Sequence, residues 1–152
     1  MSKDILSSNF FELFELPVSY DVDLSKVQQH YMALQKEVHP DKFTGASDQE
    51  KRLSMQQTSW INEAQATLKD PVARATYLLK LKGTDINLEN ETTMDAGFLM
   101  QQLEVRERLE TIKNEKDPLD SLERISKELK SASEDMMNSF AEAYESGEME
   151  QA

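Results

Sequence analysis

The stretch VQQHYMALQKEVHPDKFTG, residues 27–45, decides the fold, because it runs from an amphipathic helix into a proline turn. Its apolar residues recur at helical spacing, which predicts a helix with one buried face. Asp23 is placed to cap the start of that helix. Pro40 biases the residue before it away from the α region, so the helix is predicted to end near Val38.

A second long helix is predicted after this turn. Ser47 and Glu50 are spaced as in a capping box and would begin it. Its predicted buried stripe comprises Leu53, Gln57, Trp60, Ile61, Ala64 and Leu68. Asp70 followed by Pro71 combines a cap with proline at the first helical position, and predicts a short helix that runs to Gly83. HPDKF, residues 39–43, therefore lies in a loop between two helices.

The second half of the chain predicts further helices. Residues 83–93 are polar and aperiodic, which is typical of a linker. A helix from about Met94 to Lys116 follows, and its core line at helical spacing is Met94, Phe98, Val105, Leu109 and Ile112. Another runs from Asp117 to about Gly147, with Leu122, Ile125, Leu129, Ala132, Met136 and Phe140 on one side.

The composition agrees with an all-α fold. Gly and Pro number 4 each and cysteine is absent from the 152 residues, which excludes disulfides, thiolate metal sites and cysteine nucleophiles. No apolar run has the length of a membrane span, and the first residues lack the order of a secretory signal. These features predict a cytoplasmic protein without a membrane partner.

The net charge of −12 is concentrated in the second half. Residues 1–82 carry 10 Lys/Arg and 11 Asp/Glu, whereas residues 83–152 carry 7 and 18. An acidic half repels phosphates, so a nucleic-acid partner is not expected. The charge step near residue 83 also indicates a boundary between two units.

The string HPDKF has two interpretations from the residues alone. It is a simple proline turn if Asp41 only bonds local backbone amides. It is catalytic if His39 and Asp41 form an acid–base pair, with His30 as a metal ligand. The chain offers no glycine-rich phosphate loop and no Cys/His cluster, so an enzyme, a metal site and a cofactor are not expected.

Separated motifs around this loop resemble the J-domain. Tyr31-x-x-Leu34 lies upstream of the loop, as in that family. Further matches to the family pattern are Asn62, Glu63, Ala64, Leu68, Asp70, Pro71, Arg74, Ala75 and Tyr77. The resemblance covers about residues 9–82 and implies a helical hairpin with short flanking helices.

The J-domain resemblance implies a DnaK-type chaperone as partner, whose ATP hydrolysis the loop stimulates. The residues that it places at this contact are His39, Pro40, Asp41, Lys42, Lys36 and Lys26. The second helix is less basic than is usual in the family, because Glu37 opposes Lys26 and Lys36. Lys42 is therefore expected to supply part of the electrostatic steering.

Two longer strings, VHPDKF and RATYLLKLKG, resemble the HscB family of iron–sulfur co-chaperones in particular. Residues 97–112 are similar to the opening helix of that family's C-terminal domain, which binds the scaffold protein IscU. By position, the scaffold-binding residues implied are Leu99, Met100, Leu103, Glu104 and Glu107. A further acidic position of the family is Thr111 here.

Leu99, Met100 and Leu103 lie off the core line of their helix, so they form either a partner surface or part of a wide buried face. The family's C-terminal domain has a third helix, and this chain stops at Ala152 before it. Residues 94–152 are therefore expected to form a partial three-helix bundle.

The predicted organisation is a J-domain at 9–82, a linker at 83–93 and an acidic helical client-binding module at 94–152. The predicted function is a non-enzymatic co-chaperone that binds an IscU-type iron–sulfur scaffold and stimulates an HscA/DnaK-type ATPase. One alternative is a J-protein that recruits a general DnaK-type chaperone to an unrelated client. Another is a structural helical adaptor with an accidental His-Pro-Asp turn.

Overall fold

The computed structural model describes residues 4–84 and 95–147, and all regular elements in those ranges are helical. The α-helices are α1 (Phe10–Leu13), α2 (Leu24–Val38), α3 (Asp48–Lys69), α4 (Pro71–Leu81), α5 (Ala96–Thr111) and α6 (Pro118–Ser146). Short 3-10 turns follow α2 at Pro40–Phe43 and α5 at Ile112–Asn114. The predicted all-α fold is confirmed.

Side-chain caps begin the helices of the hairpin where the sequence predicts them. A carboxylate oxygen of Asp23 accepts a hydrogen bond from the Ser25 amide at 2.9 Å and begins α2. Ser47 and Glu50 form the reciprocal capping box at the start of α3. Each such cap supplies an acceptor to an otherwise unpaired helix amide and contributes about 1 kcal/mol. α2 ends at Val38, as predicted.

The end of α4 is set by glycine at a left-handed position. Gly83 has φ 87°, a conformation that costs other residues more because of their Cβ atoms. The Thr84 amide donates to the Leu79 carbonyl at 2.9 Å, which closes the helix in the manner of a Schellman motif. α4 itself ends at Leu81, close to the predicted Gly83.

The main core forms where the N-terminal segment, α1, α2 and α4 pack against α3. Its deepest apolar side chains are Phe11, Phe14, Val27, Ile61, Ala64, Leu68 and Leu78. The Phe10 ring stacks on Tyr77 at 4.4 Å and meets Trp60 edge-on at 4.9 Å. Burial raises the pKa of Tyr77, whose hydroxyl accepts a hydrogen bond from the Phe10 amide at 3.1 Å.

The C-terminal end of α6 belongs to the same core. Phe140 and Tyr144 are buried there, and the Phe140 ring meets Tyr20 edge-on at 5.5 Å. The ammonium of Lys82 lies 4.0 Å from the centre of the Tyr144 ring and donates to the Tyr144 carbonyl at 3.1 Å. The Arg74 guanidinium lies 4.6 Å from the centre of the Tyr20 ring, the ring that contacts Phe140. Cationic and aromatic contacts therefore join α4 to α6.

The predicted stripe of α3 is wrong at one position. Leu53 is 46% exposed, and the neighbouring Ser54 is fully buried in its place. The buried positions Ser54, Ile61 and Leu68 recur every seven residues, a spacing that returns to nearly the same helix face. The predicted face is therefore right at Ile61, Ala64 and Leu68, and at its first turn the buried position is Ser54 rather than Leu53.

The predicted core line of the second half is also corrected. Phe98 and Leu109 are each 42% exposed, and of that line Ile112 alone is buried among the described residues. On α6, Ile125 and Phe140 are buried as predicted. The exposed members of its predicted stripe are Leu122, Ala132, Leu129 and Met136. α5 packs beside α6, and two helices cannot enclose each other's apolar faces.

The predicted helix limits in this half need small changes. α5 begins at Ala96 and ends at Thr111, and the stretch to Asn114 is a 3-10 turn rather than a continuation of the helix. Met94 and most of the predicted linker at 83–93 lie outside the described residues. The division into 9–82, 83–93 and 94–152 stays a prediction.

Candidate functional site

The His-Pro-Asp loop, residues 39–41, lies at the turn between α2 and α3. His39 terminates α2 with extended backbone, φ −56° and ψ 131°, and its amide still donates to Gln35 at 2.9 Å. Pro40 then begins the 3-10 turn. The proline ring fixes the backbone at the point where the chain leaves the helix, so the loop begins in a defined direction.

Hydrogen bonds inside the turn fix the shape of the loop. Nδ1 of His39 accepts from the Asp41 amide at 3.2 Å, and the Lys42 amide donates to the His39 carbonyl at 3.0 Å. In the neutral imidazole, the ring proton is then on Nε2. The Asp41 carboxylate lies 3.5 Å from the same Nδ1, so it also faces the ring when the ring is protonated.

The two polar side chains of the loop are open to a partner. The side chain of His39 is 52% exposed and that of Asp41 is 88% exposed. Pro40 is exposed between them. An imidazole and a carboxylate are thus presented together from a turn with few free torsions. Such a surface loses little conformational entropy when a partner binds.

The three lysines predicted for this surface are all exposed. Lys42 lies in the 3-10 turn beside the loop, whereas Lys26 and Lys36 lie on α2. Glu37, also exposed, follows Lys36 directly. The positive charge nearest the loop therefore comes from Lys42 and Lys36, one on each side of it.

A second surface is formed by residues of α5, here called the α5 patch: Leu99, Met100, Leu103, Glu104 and Glu107. At about 100° per residue these five positions share one face of the helix. The apolar members are 41%, 59% and 52% exposed in chain order, and both glutamates are exposed. The patch combines apolar area with carboxylates on one accessible helix face.

Contacts of Arg108 and Phe98 orient α5 against α6. The Arg108 guanidinium makes two hydrogen bonds to the Glu128 carboxylate, at 2.6 and 3.2 Å. Phe98 and Met136 line the same shallow groove between the helices. At about 100° per residue, Phe98 lies on the side of α5 away from Met100 and Leu103 of the α5 patch, although Leu99 is no more exposed than Phe98, 41% against 42%.

The Arg108–Glu128 pair gives a prediction that tests this orientation. The hydrogen bond from Arg108 lowers the pKa of the Glu128 carboxyl below its ordinary 4.5. Because the pKa of this carboxyl is lower in the folded protein than in the unfolded chain, the pair stabilises the fold fully at pH values above the unfolded pKa. This contribution is lost as the pH falls through the folded pKa. An NMR titration should show Glu128 below 4.5, and Arg108→Gln should raise it. A titration that Arg108→Gln leaves unchanged would contradict this packing of α5 on α6.

Within residues 4–84 and 95–147, no group of three or more His, Cys, Asp or Glu side chains is arranged to hold a metal ion. In the same ranges, no helix is both long and apolar enough to span a membrane. His30 faces Glu15 at 3.8 Å and does not join the His-Pro-Asp loop.

The sequence interpretation missed the residues that support these surfaces. Ser54 beneath the loop and the pair Tyr20 and Lys82 beside α6 were not singled out. The seven-residue spacing from Ser54 to Ile61 and Leu68 is a signal that could have identified the first. Tyr20 lies in the loop before α2, and Lys82 directly follows the end of α4. The spacing of apolar residues carries no information at such positions.

Comparison with known proteins agrees with the motifs at both ends of the chain. A model described as the DnaJ domain matches residues 9–77, and one described as the HSCB C-terminal oligomerisation domain matches residues 94–152. A helical hairpin with an exposed His-Pro-Asp loop, together with this match, defines a J-domain protein.

Individual relatives narrow the family. A co-chaperone protein HscB homolog of Shewanella halifaxensis is 54% identical over 110 residues, which cover 72% of this chain and 63% of that protein. The chaperone HscB from Vibrio cholerae has a TM-score of 0.88 at 38% identity, covering 95% of this chain and 85% of that one. Human co-chaperone protein HscB has a TM-score of 0.86 at 32% identity, over 96% and 72%. The chain belongs to the HscB co-chaperone family.

Proposed function

We propose that this chain stimulates ATP hydrolysis by an HscA-like chaperone of the DnaK type while its α5 patch binds an IscU-type iron–sulfur scaffold protein. The observation that carries the proposal is the exposed loop at residues 39–41, held by its own backbone hydrogen bonds in a chain whose relatives are HscB co-chaperones. The maturation of iron–sulfur proteins is the process that this activity would serve.

In this proposal the loop acts on the chaperone by binding. His39 offers a ring N–H as a hydrogen-bond donor, and Asp41 offers a carboxylate as an acceptor. Each would pair with the complementary acceptor or donor on the chaperone. Because Pro40 and the turn fix their positions beforehand, the binding free energy is available to favour the chaperone conformation that hydrolyses ATP. Lys26, Lys36 and Lys42 favour approach to an acidic surface.

The α5 patch suits a protein client that has an apolar contact surrounded by positive charge. Its three apolar side chains are half-exposed and lie within one turn of each other. Burying such side chains in an interface favours binding by about 25 cal/mol per Å² of apolar area. Glu104 and Glu107 at the rim would attract a basic surface and exclude an acidic one.

Two ATPase titrations test the proposal. The chain is added to an HscA-type chaperone, first alone and then with the scaffold protein present at a fixed concentration. The expected result is stimulation by the chain alone and a larger stimulation when the scaffold is present, because the scaffold is delivered to the chaperone together with the loop.

The pattern of results separates the remaining alternatives. Stimulation that the scaffold does not enhance would favour a J-protein for an unrelated client, recruiting a general DnaK-type chaperone. No stimulation of either type of chaperone would leave a structural helical adaptor as the explanation and would overturn the proposal.

A further inference from the structure

Ser54 is a fully buried polar side chain directly beneath the His-Pro-Asp loop. Its hydroxyl donates a hydrogen bond to the carbonyl of Val38, the last residue of α2. His39 follows at the next position, so the hydrogen bond from α3 reaches the chain at the peptide unit where the loop begins.

Few other hydrogen-bond donors can reach the Val38 carbonyl. The last carbonyls of a helix have no partner within the helix, and Pro40 has no N–H to offer. Val38 is only 4% exposed, so water is largely excluded around it. The Thr58 hydroxyl, also on α3, lies at 3.5 Å, the outer limit for a hydrogen bond. Ser54 is therefore the main donor that α3 provides.

The contact differs in kind from the hydrogen bonds inside the loop. The bonds from the Asp41 and Lys42 amides to His39 fix the shape of the turn but join residues of the same segment. The bond from Ser54 joins residues 16 positions apart and belongs to a different helix. It therefore fixes the start of the turn relative to α3, and the turn's own hydrogen bonds form on that fixed start.

We propose that Ser54 is a positioning residue for the chaperone-stimulating loop: its buried hydroxyl holds the Val38 carbonyl and so keeps His39, Pro40 and Asp41 in the orientation that the chaperone binds. The inference rests on the proposed function of the loop. It adds that the binding-competent orientation is maintained in the free protein by one side chain of α3, which itself does not contact the chaperone.

Ser54→Ala is the variant that tests the assignment. Without the hydroxyl, the start of the loop spends about nine-tenths of the time away from its position, and the apparent affinity for the chaperone falls to the fraction that remains in the binding orientation. The concentration for half-maximal ATPase stimulation should rise about tenfold, while the maximal stimulation at saturation is retained. A higher half-maximal concentration with unchanged maximal stimulation indicates a positioning role. Loss of a group of the loop itself, such as the His39 side chain, would instead remove the stimulation at every concentration.

A second measurement needs no chaperone. Hydrogen exchange of the Lys42 amide, which donates to the His39 carbonyl, should accelerate about tenfold in Ser54→Ala because the turn opens more often. If wild-type protein gives no ATPase stimulation, the proposed function fails, but this exchange measurement still decides whether Ser54 positions the turn.

Ser8→Ala is the matched control. Ser8 is 6% exposed and its hydroxyl donates to the Asp4 carbonyl at 3.0 Å, so this hydrogen bond lies within the N-terminal segment and does not hold the Val38 carbonyl. It should leave both the half-maximal concentration and the Lys42 exchange rate unchanged. Should Ser54→Ala not fold, Ser54→Cys, which keeps the size and a weak donor, should show the same changes to a smaller degree. Unchanged Lys42 exchange in the Ser54 variant, or equal changes in the Ser8 variant, would overturn the assignment.

Discussion

The His39→Gln variant should lose stimulation of chaperone ATPase at every concentration, while it keeps its helical content and its melting temperature. The side chain of His39 is 52% exposed and its described contacts are to Asp41, so its replacement leaves no cavity in the core. Exposed substitutions of this kind change the free energy of unfolding by about 0.5 kcal/mol or less. Single-turnover ATPase assays, circular dichroism and thermal melting measure the two effects separately.

His30→Gln provides the matched control, because His30 is the other histidine of the chain and lies within α2. It should keep the stimulation of the wild-type protein. The outcome that contradicts the assignment is a His39→Gln variant that stimulates normally, or one that loses stimulation only because it unfolds.

Simultaneous truncation of Leu99, Met100 and Leu103 to Ala should weaken scaffold binding on the order of a hundredfold, which corresponds to about 3 kcal/mol. The reason is that half-exposed apolar side chains become buried only in the complex. The same variant should unfold at nearly the wild-type temperature, since these side chains are 41–59% exposed. Isothermal titration calorimetry with the scaffold and a thermal melt give both values.

The chain offers a control with equal apolar area on the next helix. Leu122, Leu129 and Met136 of α6 are 45–48% exposed, so their truncation removes similar surface outside the α5 patch. Scaffold binding should survive this second triple substitution. Equal losses in both variants would mean that the apolar surface binds the scaffold without a defined site.

The place of Phe98 on the predicted core line implies a large loss of stability on truncation, which the structure does not support. A residue on a buried line would cost about 3–5 kcal/mol on truncation to Ala. At 42% exposure Phe98 buries only part of its ring against α6, so a smaller loss is expected. Truncation of Phe98 is therefore not a suitable buried reference for the α5 patch.

Features that depend on neighbouring residues could be predicted from the sequence. The cap at Asp23, the capping box of Ser47 and Glu50, and the end of α2 before Pro40 all follow from donors and acceptors within a few positions. The helical order and the exposed position of residues 39–41 follow from these ends. The roles of His39, Asp41 and the α5 patch came from family resemblance and stay predictions.

Features that depend on distant elements could not be predicted in the same way. Leu53 is apolar and at helical spacing, yet the core contains Ser54, because the carbonyl at the end of α2 lies on that side of α3. Phe98 and Leu109 repeat as a core line should, but burial also requires enough neighbouring helices to cover them. The spacing of apolar residues along one helix shows which of them share a face. It does not show which other elements pack against that face.

The shared packing of Phe140 and Tyr144 with Tyr20 and Lys82 constrains how this protein can be recombined with others. A chimera that places a J-domain from another family before residue 84 would remove the aromatic ring and the ammonium that receive the end of α6. Two large rings would then face water, and the graft would be prone to aggregate. A donor domain is compatible with this C-terminal half when it presents an aromatic residue and a cation at the corresponding positions.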